Sequence, residues 1–118
     1  MPITINEGKT PAGHLCMVAR VSGHVTLAEA QAMGAQLKPG QPYHQARVVC
    51  LVDKSTDYSP DSRKFFETMR GDYKRMASVV HSPVLRASIN FMLRVMGHVN
   101  DFRMFSSEAE AMTWLDAI

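Results

Sequence analysis

Apolar and polar residues alternate over positions 3–7, turn-forming residues gather around Pro11, and positions 15–21 are a nearly unbroken apolar run. Alternation marks a strand with one face in water, and an unbroken run marks a strand covered on both faces. The chain is therefore predicted to open with an edge strand joined by a hairpin to a buried one. After Ser22-Gly23-His24-Val25 the period becomes helical. Thr26-Leu27-Ala28-Glu29 fits a capping box, in which the hydroxyl and the carboxylate each satisfy a free amide of the first turn. Leu27, Ala30, Met33 or Gly34, and Leu37 keep one face apolar until Pro39-Gly40 ends the helix.

Positions 46–53 hold Val48, Val49, Cys50, Leu51 and Val52 in a row, the pattern of a central strand with helices on both sides. Ser59-Pro60-Asp61 then supplies an N-cap, a proline suited to the first helical position and an acid near the positive end of the helix dipole. This second helix is predicted to run to about Met76. Phe65, Phe66, Met69, Tyr73 and Met76 form its apolar stripe, while Arg63, Lys64, Arg70, Lys74 and Arg75 project elsewhere. A short strand over 77–81 follows, and Ser82-Pro83 starts a third helix with Leu85, Ile89, Met92, Leu93 and Met96 on its buried face and Gly97 as its stop. Positions 102–105 are the last strand. Ser107-Glu108-Ala109-Glu110 is a second capping box, leading into a helix striped by Ala111, Trp114, Leu115 and Ile118. The order β-β-α-β-α-β-α-β-α predicts an α/β fold with a mixed, mostly parallel five-stranded sheet and about four helices.

Composition narrows the function classes. The 118 residues are of a length for one domain, 1–118, and hydrophobic residues at 46% with charged residues at 20% describe a globular chain. A formal charge of +2 is too small to draw in a phosphate backbone or an anionic lipid surface, so no nucleic-acid partner is expected. No segment approaches the roughly 18 continuous apolar residues of a membrane span, and the start of the chain lacks a basic stretch leading into an apolar core. The expected location is cytoplasmic. Cys16 and Cys50 sit inside apolar runs and read as buried, reduced thiols.

Three stretches resemble the SpoIIAA-like group of the STAS fold: Val48-Val49-Cys50-Leu51-Val52-Asp53 followed by Lys54-Ser55-Thr56, then Arg75-Met76-Ala77-Ser78-Val79-Val80, then Phe102 through Glu108-Ala109 to Trp114-Leu115. The last is similar to a Phe-x-x-x-x-Glu-Ala-x-x-Trp-Leu ending frequent in that group. The resemblance implies the same single-domain fold and a regulatory or protein-interaction role rather than an enzymatic one. In anti-sigma antagonists of this type a serine shortly after the third strand is phosphorylated, and Ser55 holds the matching position. Those proteins place a glycine after that serine, whereas this chain has Thr56-Asp57-Tyr58.

Two functional expectations follow. Asp53, Ser55 and Thr56 lie at the carboxyl end of a central strand, where open α/β sheets place ligands, and form a switch loop whose phosphoacceptor is Ser55. The competing reading of these residues is ordinary turn hydrogen bonding. The exposed basic side of the second helix, with Tyr58 and Tyr73 as aromatic contacts, would complete a surface for a protein partner, and a homodimer is compatible with the same pattern. Alternatively, Phe66, Met69, Met92 and Met96 line an adaptable apolar pocket between the second and third helices for a small lipophilic ligand. Ordinary core packing is the competing reading there. The five histidines never occur three or four residues apart, no glycine-rich phosphate loop is present, and no metal or cofactor is expected.

Overall fold

The computed structural model describes residues 2–83, 86–87, 90 and 101–117. Its strands are β1 (Ile3–Lys9), β2 (Leu15–Val21), β3 (His24–Val25), β4 (Arg47–Val52), β5 (Asp57–Tyr58), β6 (Arg75–Val79) and β7 (Phe102–Phe105), and its helices are α1 (Leu27–Ala35), α2 (Pro60–Thr68) and α3 (Glu108–Leu115). Five strands form one sheet in the order β1-β2-β4-β6-β7, antiparallel between β1 and β2 and parallel elsewhere. The apolar run through Val48 and Val49 is thus the central strand, as its pattern predicts. No helix of the described residues is long and apolar enough to cross a membrane.

Because successive strand residues point to opposite faces, each inner strand feeds two cores. Met17, Ala19, Val21, Val48, Cys50 and Met76 meet Met33 of α1 together with Leu37 and Met69 on one side. Cys16, Val49, Ala77 and Val79 meet Ala111 and Leu115 of α3 on the other. Gly34 permits α1 and α2 to touch, since a Cβ there would lie 2.8 Å from the Phe65 ring.

Several expectations need correction. The second helix stops at Thr68 rather than near Met76, because Gly71 adopts φ +96° and turns the chain, and the next strand begins at Arg75. Tyr73 is consequently core and Tyr58 is half-buried against the same cluster, so neither is a free aromatic contact. Arg75 leaves the solvated helix face and enters the sheet, where it is only 6% exposed. Ser107 does cap α3, accepting from the Glu110 amide at 3.2 Å, but the Glu110 carboxylate takes the Ser106 hydroxyl instead of closing a box. Trp114 is half-buried rather than a full core anchor, and Ile118 lies outside the described residues. Of the third helix, Pro83, Arg86, Ala87 and Asn90 have helical backbone. Its expected apolar face, Leu85, Ile89, Met92, Leu93 and Met96, lies outside the described residues.

The two-residue strands β3 and β5 were not predicted. They pair in parallel, His24 with Asp57 and Val25 with Tyr58, and extend the β2–β4 pairing beyond the edge of the main sheet.

Candidate functional site

Strands β2, β4, β6 and β7 run in parallel, so the segments that leave them gather at one edge of the sheet. The turn after β4 is built by its own polar side chains. Asp53 Oδ2 accepts from the Ser55 amide at 2.9 Å and from the Ser55 hydroxyl at 2.6 Å, while the Thr56 amide donates to the Asp53 carbonyl at 3.0 Å. These contacts close an Asx-type turn. The loop is also tied across to the segment after β2. The Gly23 amide donates to Ser55 Oγ at 3.3 Å, the Thr56 hydroxyl to the Val21 carbonyl at 3.1 Å, and the Asp57 amide to the Gly23 carbonyl at 3.0 Å. Gly23 has φ +70°, a conformation for which glycine carries no steric penalty.

All three predicted switch residues therefore come together, with Ser55 as the group that links the two segments. Outside this turn, His24 Nδ1 donates to Asp57 Oδ2 at 2.9 Å, with side chains 58% and 68% exposed. The Ser59 hydroxyl donates to Asp61 and accepts from the Ser62 amide at 3.2 Å. The Ser55 hydroxyl and amide hold the Asp53 carboxyl below its ordinary range, and the Ser59 hydroxyl does the same for Asp61. The loop thus presents carboxylates that stay ionised, with Lys54 exposed among them.

An open cleft of about 640 Å³ adjoins this turn on the α3 side of the sheet. It is lined by the apolar Leu51 and Val79 and by the exposed Arg20, His81, Asp53 and Glu108. Asp53 belongs both to the cleft and to the turn held by Ser55. Ser55 Oγ–H points to a carboxylate of lowered pKa, which is a weak base, while the His24 and His14 rings face Asp57 and Asp116, and His44 donates to the Leu37 carbonyl. Among the described residues no cluster of three or more His, Cys, Asp and Glu could hold a metal ion.

Of the residues predicted for an apolar pocket, Phe66 and Met69 lie among the described residues. Met69 is fully buried in the core shared by Met17 and Met33, and Phe66 packs edge-on against Tyr58 with ring centres 5.6 Å apart. Met92 and Met96 lie outside the described residues.

Sequence reasoning missed Gly23 and His24 as parts of the loop site. The available signal was Ser22-Gly23-His24 directly after a buried strand, which marks a chain segment at the same sheet edge. It also missed Arg20, whose place in an apolar run gave no hint of a cleft.

A solved protein from Shewanella loihica PV-4, an uncharacterised member of the DUF3478 family with a SpoIIAA-like fold, superposes with a TM-score of 0.62 over 96% of this chain and 93% of that chain at 18% identity. At that identity the likeness shows the fold, which is SpoIIAA-like here as the resemblance implied. No curated protein matches the chain. The model of the family described as a domain of unknown function, DUF7793, matches residues 12–118, and the chain belongs to that family.

Proposed function

We propose that this chain is a non-enzymatic regulatory domain that engages a protein partner through the 53–59 loop and the adjoining exposed side of α2, and that modification of Ser55 switches that surface. One observation carries the reading: the Ser55 hydroxyl is an exposed group on which both the Asp53 turn and the Gly23 clasp depend. A phosphate there removes the proton donated to Asp53 and adds a charge of about −1.5 to −2 beside Asp53 and Asp57. Like-charge repulsion then opens the turn, in contrast to switches in which a phosphate is captured by arginine. The departure at Thr56-Asp57 from the glycine of related switches fits this opening mode, because Asp57 opposes rather than accommodates the new charge.

The test is labelling in host-cell extract with labelled ATP, followed by mass mapping. Label is expected on Ser55 and is expected to vanish in Ser55→Ala. Equal labelling of wild type and Ser55→Ala would sink the assignment. In Ser55→Asp, amide exchange at Gly23, Asp57 and Ser59 is expected to accelerate while exchange in β4 stays unchanged.

A further inference from the structure

The two edges of the main sheet are treated differently. At β7 the side-chain amide of Asn90 stands in for a neighbouring strand, its Nδ2 donating to the Met104 carbonyl at 3.2 Å and its Oδ1 accepting from the Met104 amide at 2.8 Å. At β1 no such cover exists among the described residues. The seven-residue strand Ile3–Lys9 keeps an unbroken register with β2, from Ile3 opposite Val21 to Lys9 opposite Leu15, without a bulge or an internal proline.

The parity of its hydrogen bonds follows from the bonds at its two ends. The Ser22 amide donates to the Pro2 carbonyl at 2.8 Å and the Thr10 amide to the His14 carbonyl at 2.9 Å. In an antiparallel ladder hydrogen-bonded pairs alternate, so the even residues of β1 bond inward to β2. The amides and carbonyls of Ile3, Ile5, Glu7 and Lys9 therefore point outward. A long edge with aligned free groups is a template for another strand.

We propose that the outer edge of β1 pairs antiparallel with β1 of a second copy of this chain, about a two-fold axis at Asn6. A second copy presents the same four outward residues, and this alignment is the one that pairs all of them on both strands. Centred on Asn6, Ile3 faces the partner's Lys9, Ile5 faces the partner's Glu7, and each of those odd pairs is a hydrogen-bonded pair. All four outward residues of each strand are then satisfied, no like charges oppose each other, and the two Asn6 amides meet across the axis as mutual donor and acceptor. Sliding by two residues in one direction sets Glu7 against the partner's Glu7. Sliding by two in the other leaves Lys9 beyond the strand pairing, and sliding by one sets outward groups against inward ones. The contact is isologous, so it closes as a dimer with one continuous sheet and does not propagate.

Asn6 falls at a non-hydrogen-bonded position, where facing Cα atoms lie about 4.5 Å apart. That separation is within disulfide range, about 4.4–6.8 Å. In Asn6→Cys treated with oxidised glutathione, a disulfide-linked dimer is expected, whereas Thr4→Cys, whose copies would sit four residues apart or roughly 14 Å, is expected to remain unlinked. Cys16 and Cys50 are buried and give no background. Sedimentation of the unmodified protein is expected to show a dimer. Glu7→Pro, which removes one outward amide while leaving the even-numbered ladder intact, is expected to shift it to monomer with an unchanged circular dichroism spectrum. A wild type that sediments as a monomer at every concentration overturns the proposal. So does a dimer in which Asn6→Cys links no faster than Thr4→Cys.

Discussion

At the residue scale, burial changes what a side chain can do more than its identity does. The Cys16 thiol is pushed up to about 11 by burial, against smaller opposing effects of the Val49 backbone and Arg47, and the Cys50 thiol is pushed up to about 12 by burial. Since the thiolate is the reactive form, both are expected to resist an aromatic disulfide reagent at about pH 8 in the folded protein and to react only on unfolding. Stoichiometric labelling within seconds would contradict this. The apolar runs around both residues made that inertness legible in the sequence. The opposite holds for Arg47 and Arg75, which look like surface charges yet are 7% and 6% exposed and stand directly opposite each other on β4 and β6. They are tolerated because they serve the end of α3. Arg47 Nε donates to the Leu115 carbonyl at 2.7 Å, Arg75 donates to the Trp114 carbonyl, and the Arg75 guanidinium lies 4.0 Å from the Trp114 ring centre. Carbonyls without an intrahelical partner at a helix end attract cations. No local pattern in the sequence announces an arginine that satisfies a helix more than thirty residues away.

At the element scale, the helix starts were readable and the helix ends less so. Ser59 and Ser107 cap α2 and α3 as predicted, because an N-cap is a property of a few consecutive residues. The end of α2 depended on whether Gly71 would be carried through a helix or used at positive φ, and the pull of β6 into the sheet decided it. The α1–α2 contact gives a quantitative test. Replacing Gly34 by alanine gains about 1 kcal/mol of helix propensity, but the new Cβ meets the Phe65 ring at 2.8 Å and Met69 Cγ at 3.6 Å. Gly34→Leu has no room and is expected to cost about 1–3 kcal/mol in urea unfolding. Combining Gly34→Leu with Phe65→Leu is expected to recover part of the loss, a coupling read from a double-mutant cycle. Strict additivity would mean that the two helices are not in contact there.

At the scale of the whole molecule, one carboxylate ties the first hairpin to the last helix. Asp116, just past α3, accepts from the Ala12 amide at 2.9 Å and from His14 Nδ1 at 3.0 Å. Burial by itself raises its pKa, but hydrogen bonds from Thr10, His14 and Ala12, with the charge of His14, outweigh that and hold it down at about 2. A carboxyl lowered on folding adds stability that is present above its unfolded value, near 3.9, and is lost as pH falls through the folded value. Asp116→Asn is therefore expected to lower the thermal midpoint at about pH 6, and the gap to wild type is expected to shrink as pH drops from about 4 toward 2. A gap that stays constant over that range would show that the charge contributes nothing.

The order of the five main strands and of α1, α2 and α3 among them, the central place of β4, the caps of α2 and α3 and the position of the 53–59 loop were all determined by the sequence itself. Each depends on a hydrophobic period or on a few adjacent polar residues, and such signals survive without knowledge of the rest of the chain. Only the tertiary structure decided that Gly23 reaches Ser55, that Arg47 and Arg75 close α3, that Asp116 holds the hairpin, and that Asn90 covers the β7 edge while no described residue covers the β1 edge. Those contacts join residues about ten to a hundred positions apart, and their energies come from burial and from the pairing of polar groups that meet only once the sheet has assembled.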